Sequence, residues 1–292
     1  MKHYIYILFT VFFISLNSCN TPQQNEKETL SVSIEPQKYF LEAIVGDKFQ
    51  VNCVISSGTN PETFDPAPLQ MLTLNKSKIY FKVGHLNFED VWINKVKDNN
   101  PSLSIVDCSK GIHIIEHAHC EHEHEKGHGH TGSDPHIWSS PHTAAIMAKN
   151  MYDAVIALDP ENKEIYTQNL NTLMLKFSET DSIIRSYLKN TPDKSFFIYH
   201  PALSYFSEEY GLNQFSIEQE GKSPTPSQLK QLIDFARQNN VKVVFIQEEY
   251  DQKNAETIAK EIDAKVVSIN LLSYHWSDEM IRIAKSLSAK NE

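Results

Sequence analysis

Between residues 161 and 189 the apolar side chains Tyr166, Leu170, Leu173, Phe177, Ile184 and Tyr187 recur at spacings near three or four. That period marks an amphipathic helix, and at 1.5 Å per residue the helix would run roughly 43 Å. Such a length exceeds what one small domain needs and suits a bridge between two. A long surface helix of a single domain is the plainer alternative.

On both sides of this stretch, strand-like and helix-like pieces alternate. The first half reads as strand "LSVSI", a helix over 37–45 stopped by Gly46, strand "FQVNCVI", the loop "SSGTNPETFDPAP", and a helix near Leu69–Asn75. Strand "KIYFKVG", a helix over 88–98 and strand "LSIVDC" follow. Ser139 or Ser140 as N-cap with Pro141 in the first turn opens another helix, which Asp159-Pro160 ends. After Thr191-Pro192 come strand "SFFIY", a helix over 203–210 stopped by Gly211, and strand "NQFSI". Thr225 then caps a helix that Pro226 begins, followed by strand "VKVVFI", a helix over 252–262, strand "KVVSI" and a last helix over 277–288. Strands separated by helices of about ten residues indicate parallel α/β layering. The expected fold class is therefore α/β, two similar parallel-sheet lobes joined by a long rigid helix. The expected boundaries are 31–158 for the N-terminal lobe, with a histidine-rich loop at 113–131, 159–190 for the linking helix and 191–292 for the C-terminal lobe. No internal repeat is visible at the level of residues.

The first residues are a separate object. "MKHYIYILFTVFFISLNSCN" has one Lys, an apolar run from Tyr4 to Leu16 and a small, polar close at Cys19. The run is shorter than the ~20 apolar residues of a spanning helix and has the layout of a secretory signal peptide. Leu16-Asn17-Ser18-Cys19 resembles a lipobox, so residues 1–18 read as a lipoprotein leader, Cys19 as the acylated anchor in a bilayer, and 19–30 as a polar tether. An ordinary signal peptide cut elsewhere is the alternative. Either way the chain is expected to be exported, and if anchored, on the periplasmic side of a bacterial membrane. A formal net charge of −10 over 292 residues argues against nucleic acid, whose phosphates call for a basic face. Cys53 and Cys108 sit on or beside strands, and spacing does not say whether they pair.

The stretch "EHAHCEHEHEKGHGHTGSDPHIW" packs seven histidines, four glutamates and Cys120 into 23 positions. Ligands of parallel sheets bind beyond the carboxyl ends of the strands, and four metal-capable positions lie there on constrained backbone. Glu62 is flanked by Pro61 and the Asp65-Pro66 turn, His136 follows Pro135, His200 precedes Pro201, and Asn270 ends "KVVSI". Two come from each half, so one ion could sit between the lobes. The tract itself carries Gly127, Gly129 and Gly132 and no apolar anchor between His117 and Thr131. A metal held there must order a flexible chain, at roughly 1–2 kcal/mol per fixed residue. It is expected to collect ions loosely and hand them to the cleft; a solvated loop of no consequence is the plainer alternative.

"NPETFDPAP", "SDPHIWSSP", "FFIYHPALSYFSEEYGL" and "SPTPSQLKQLIDFARQNNVKVVFIQEEY" resemble the motifs of the solute-binding proteins of zinc and manganese ABC importers (cluster A-I). The resemblance runs from about residue 30 to the end. It implies two α/β domains on a rigid backbone helix, an interfacial ion, and delivery to a membrane permease, with no catalysis. His136 and His200 match two of the family's ligands, Glu62 stands where a histidine is usual, and Asn270 where an aspartate is usual. The implied set is Glu62, His136, His200 and Asn270 or water. Glu248, Glu249, His275 and His85 are the alternatives for the fourth place. A Glu-His-His set suits Zn²⁺, with Mn²⁺ or Fe²⁺ less well matched.

Two other functions compete. A zinc hydrolase would need an open position for water and a nearby base, and no His-Glu-x-x-His pattern is present. A metal-buffering or adhesive surface lipoprotein would need no permease.

Overall fold

The structure, a computed structural model, describes residues 27–55, 58–116, 132–191, 193–218, 221–250 and 253–288. The leader over 1–18, Cys19 and the histidine tract 117–131 with Cys120 lie outside the described residues.

Among the described residues, eight short strands form two four-stranded sheets, all parallel. The first contains β1 (Thr29–Val32), β2 (Gln50–Cys53), β3 (Ile79–Lys82) and β4 (Ser104–Asp107), in the order β2-β1-β3-β4. The second contains β5 (Ser195–Ile198), β6 (Asn213–Ser216), β7 (Val243–Gln247) and β8 (Lys265–Ile269), in the order β6-β5-β7-β8. The helices are α1 (Glu35–Val45), α2 (Pro68–Asn75), α3 (Asn87–Asn99), α4 (Pro141–Leu158), α5 (Lys163–Leu188), α6 (Ser204–Tyr210), α7 (Pro226–Gln238), α8 (Lys253–Ile262) and α9 (Trp276–Leu287).

Local chemistry accounts for where these elements begin and end. Ser140 Oγ accepts the Thr143 N–H at the start of α4, ahead of Pro141. Thr225 and Gln228 form a reciprocal capping box on α7. Gly211 stops α6 in the left-handed region at φ 63°, where a side chain would be strained. Within β5 and β7 side chains alternate between two cores. Phe196, Ile198 and Phe245 join one cluster shared with the N-terminal lobe and α5, whereas Phe197, Val244 and Ile246 pack under α7 and α8. That alternation is the period of two that a strand buried on both faces must show.

The lobes are joined by α5, 26 residues long, or about 39 Å at 1.5 Å per residue. It packs against α1, α4 and α9, so it is a structural spine with one buried stripe, Tyr166, Leu170, Leu173, Phe177 and Ile184. Two tryptophans stitch the lobes beside it. Trp138 Nε1 donates to the Leu271 carbonyl at 2.9 Å, and Trp276 Nε1 donates to the Trp138 carbonyl at 2.7 Å. The Trp276 ring sits edge-on to Phe40 of α1 and Phe177 of α5. Cys53 and Cys108 are separate thiols, Cys108 fully buried. No helix among the described residues is long and apolar enough to cross a membrane.

Candidate metal centre

Three side chains from three separate segments converge where the sheet ends of the two lobes meet. The ligand-capable atoms of Glu62, His136 and His200 all lie within 4.8 Å of one another, and the two imidazole rings stand 5.1 Å apart.

Each is held by its own local structure. Glu62 lies in the loop between β2 and α2, where Asn60 Oδ1 accepts the Glu62 N–H at 2.8 Å. That loop is tied down further on: Trp92 of α3 donates to Asp65 Oδ1 at 3.0 Å. His136 sits just before α4. One carboxylate oxygen, Asp134 Oδ1, accepts both its backbone N–H and its Nδ1–H, each at 2.8 Å. Asp134 is fully buried, and the Tyr205 hydroxyl donates to its carbonyl at 2.9 Å. His200 follows β5. Its carbonyl accepts from Gln247 Nε2 at 2.7 Å, its Nδ1 contacts Glu218 Oε1 at 2.6 Å, and its Nε2 contacts Glu62 Oε1 at 2.9 Å. The Tyr250 ring stacks on His200 at 5.5 Å with 13° between planes.

The electrostatics follow from this packing. Burial disfavours a charged His200, but hydrogen bonds to Glu218 and Glu62 outweigh it and push its pKa up to about 10. Contacts with two carboxylates thus favour the protonated form of the His200 ring. Asp134 is pushed up by burial, yet its contacts with His136 hold it below the usual carboxylate range. Glu249 is raised, chiefly by burial, although His200 and His136 pull it down.

The residues enclose a cavity of about 10 Å³ walled by Trp138, Ala202, Tyr250, Leu271 and Leu272 and reached by Glu249. That is room for about one water-sized particle, and the wall is largely apolar. A desolvated pocket of this size with one carboxylate and two imidazoles is suited to a single divalent ion.

Asn270 is placed differently from the other three. Its backbone N–H donates to Glu279 Oε1 at 2.7 Å and its Oδ1 accepts the Leu272 N–H at 3.0 Å. Its amide Nδ2 points to Glu248 Oε2 at 3.2 Å. The side chain therefore turns the chain so that Leu271 and Leu272 face the cavity. Among the alternatives, Glu248, His275 and His85 are exposed, and only Glu249 lines the cavity. Asp134 and Glu218 were not singled out from the sequence. Asp134-Pro135-His136 carries a signal for the first, because an Asp two residues before a backbone N–H forms an Asx turn. Glu218 becomes visible only once β5 and β6 are paired.

A family model described as ZnuA, zinc-uptake complex component A, periplasmic, matches residues 31–284. The chain is 30% identical over 256 residues to the high-affinity zinc uptake system protein ZnuA of Bacillus subtilis (strain 168), covering 85% of this chain and 80% of that protein. It is 27% identical to the zinc-binding protein AdcA of Streptococcus pyogenes serotype M3, covering 94% of this chain but 56% of AdcA, so it spans about half of that longer relative. A crystal structure of ZnuA superposes with a TM-score of 0.82 at 32% identity, covering 89% of this chain and 98% of the other. A ZnuA deletion mutant with zinc bound superposes equally well, at 0.82 and 32% identity, over 91% and 98%.

Proposed function

Because the chain belongs to the ZnuA family of periplasmic zinc-uptake components, we propose that it captures one zinc ion through Glu62, His136 and His200 and yields it to the permease of an ABC importer. The family is one of receptors, not enzymes, and its place is outside the cytoplasmic membrane. The observation that carries the ligand set is the convergence of these three side chains at the meeting of the lobes, each on independently fixed backbone. Asn270, whose oxygen accepts the Leu272 N–H and keeps a second lone pair, or a water completes the set, with Glu249, which lines the cavity, as the alternative. Zinc is favoured over manganese because two imidazoles are better matched to it than to the harder ion.

The sequence pattern supports the following organisation. Residues 1–18 are the leader, Cys19 bears the lipid, 19–30 form the tether, and 31–158, 159–190 and 191–292 are the two lobes and their linking helix. The tract 117–131 collects ions for the cleft. The test is calorimetric titration of zinc and manganese into chain lacking 117–131. One tight zinc site is expected to survive, with weaker manganese binding; loss of all tight binding would place the functional site in the tract. Unchanged zinc uptake by gene-deleted cells in zinc-limited medium would overturn the importer role. A protein that stays with the membrane fraction after Cys19→Ala would overturn the lipid anchor.

A further inference from the structure

We propose that Glu218 is a positioning residue that sets which nitrogen of His200 faces the ion and how tightly it binds. The inference rests on His200 being a ligand, as argued above. The parallel register of β5 and β6 pairs Phe196 with Gln214, Phe197 with Phe215 and Ile198 with Ser216. Continued two residues further, that register sets His200 beside Glu218. Backbone bonds extend the pairing: the Ile217 N–H donates to the Ile198 carbonyl at 2.9 Å and the Glu218 N–H to the Tyr199 carbonyl at 3.1 Å. Both side chains are buried, His200 4% and Glu218 6% exposed. An ionised carboxylate only accepts hydrogen bonds, so the 2.6 Å contact with Glu218 Oε1 requires the proton on Nδ1. A neutral His200 then presents the Nε2 lone pair to the cleft.

The two carboxylates on this ring do different work. Glu62 reaches Nε2 from the other lobe, on the side where the ion arrives, and must exchange that contact for the metal. Glu218 holds Nδ1 from within the same lobe on backbone tied to β5, so its contact persists whether or not an ion is present. Burying a carboxylate is costly unless it is paired. Glu218 Oε1 pairs with His200, and a carboxylate behind a ligating imidazole fixes the ring and raises its basicity. Loss of such a partner typically weakens metal binding by about 10–100-fold.

The experiment uses the full chain, with Zn²⁺ affinity read by competition against a chelator strong enough to strip weak sites, and Co²⁺ read by its visible absorption. Glu218→Ala is expected to weaken Zn²⁺ binding by about 10–100-fold at unchanged tight-site stoichiometry and to shift the Co²⁺ bands. Glu218→Gln, which keeps an acceptor but loses the charge, should fall between wild type and alanine and keeps the test intact if the alanine variant misfolds. His200→Ala is run alongside. If it abolishes tight binding while both Glu218 variants stay within twofold of wild type with unchanged Co²⁺ spectra, Glu218 is a structural residue and the inference fails alone. If His200→Ala binds like wild type, the ligand set itself is wrong and the inference falls with it.

Discussion

The sheets run β2-β1-β3-β4 and β6-β5-β7-β8, so each strand of one lobe has a counterpart in the other, yet the counterparts end in different chemistry. Beyond β1 lies a closed polar network: the Ser33 hydroxyl meets the Tyr80 hydroxyl at 2.7 Å and donates to Glu89, which also accepts the Val83 and Gly84 N–H groups. Beyond β5 lies His200, open to the cleft. Beyond β2 a long, doubly anchored loop carries Glu62 out to the other lobe, whereas beyond β6 Glu218 stays inside its own. After β4 the chain eventually presents His136; after β8, Asn270 folds back on its own turn. The lesson is that one topology supplies the same four sheet ends twice, and loop length with side-chain capping decides which ends reach the interface.

The sharpest way to break the comparison is to unstitch the lobes. Trp276 is 1% exposed and donates across to the Trp138 carbonyl, so Trp276→Ala is expected to cost about 3–5 kcal/mol in urea unfolding. A loss below about 1 kcal/mol would mean that the Trp276 contacts do not hold the lobes together.

Next in size is the pair of histidines. His136→Ala and His200→Ala should each weaken Zn²⁺ binding by more than about 100-fold, above the loss expected for an outer partner. Chelator competition reads both. Retained affinity in one variant would strike that histidine from the ligand set.

A smaller effect separates the two polar sheet ends. Burial raises the Glu89 carboxyl from 4.5 to about 7, against the hydrogen bonds from Ser33, Val83 and Gly84 that lower it. The folded state therefore keeps a proton that the unfolded chain loses near 4.5. Stability from this group is present at low pH and declines as pH rises between about 4.5 and 7, by an amount on the order of 3 kcal/mol. In the metal-free protein Glu89→Gln should flatten that slope when unfolding midpoints are compared at pH 5 and pH 8. An unchanged slope would assign the titration to another group.

Smallest is Thr225→Ala, which removes the hydroxyl of the α7 capping box and should cost about 1 kcal/mol. It lies in the C-terminal lobe away from the cleft, so zinc affinity should stay at the wild-type value. A change in affinity would reveal coupling between α7 and the site.

Much of the fold was legible in the sequence. All eight strands, the Gly211 stop, the Thr225-Pro226 start and the Asp159-Pro160 break follow from β-rich runs, turn residues and caps, which act within a few residues. The long helix was legible too, though its role as a spine against α1, α4 and α9 was not. At the site, strand-end position and flanking prolines pointed to Glu62, His136 and His200, which the structure brings together. The same reasoning also pointed to Asn270, whose oxygen serves the turn into Leu272. Position at a strand end does not say which way a side chain is turned.

Alone, the amino-acid order determined the α/β class, the element boundaries and the rigid backbone around His136, because capping, periodicity and an Asx turn are short-range interactions. Only the tertiary structure decided that Glu62 crosses to His200, that Glu218 backs that ring and that Trp138 and Trp276 lock the lobes. Those contacts join segments far apart in the chain, and their geometry exists only once strand register and helix packing have been set.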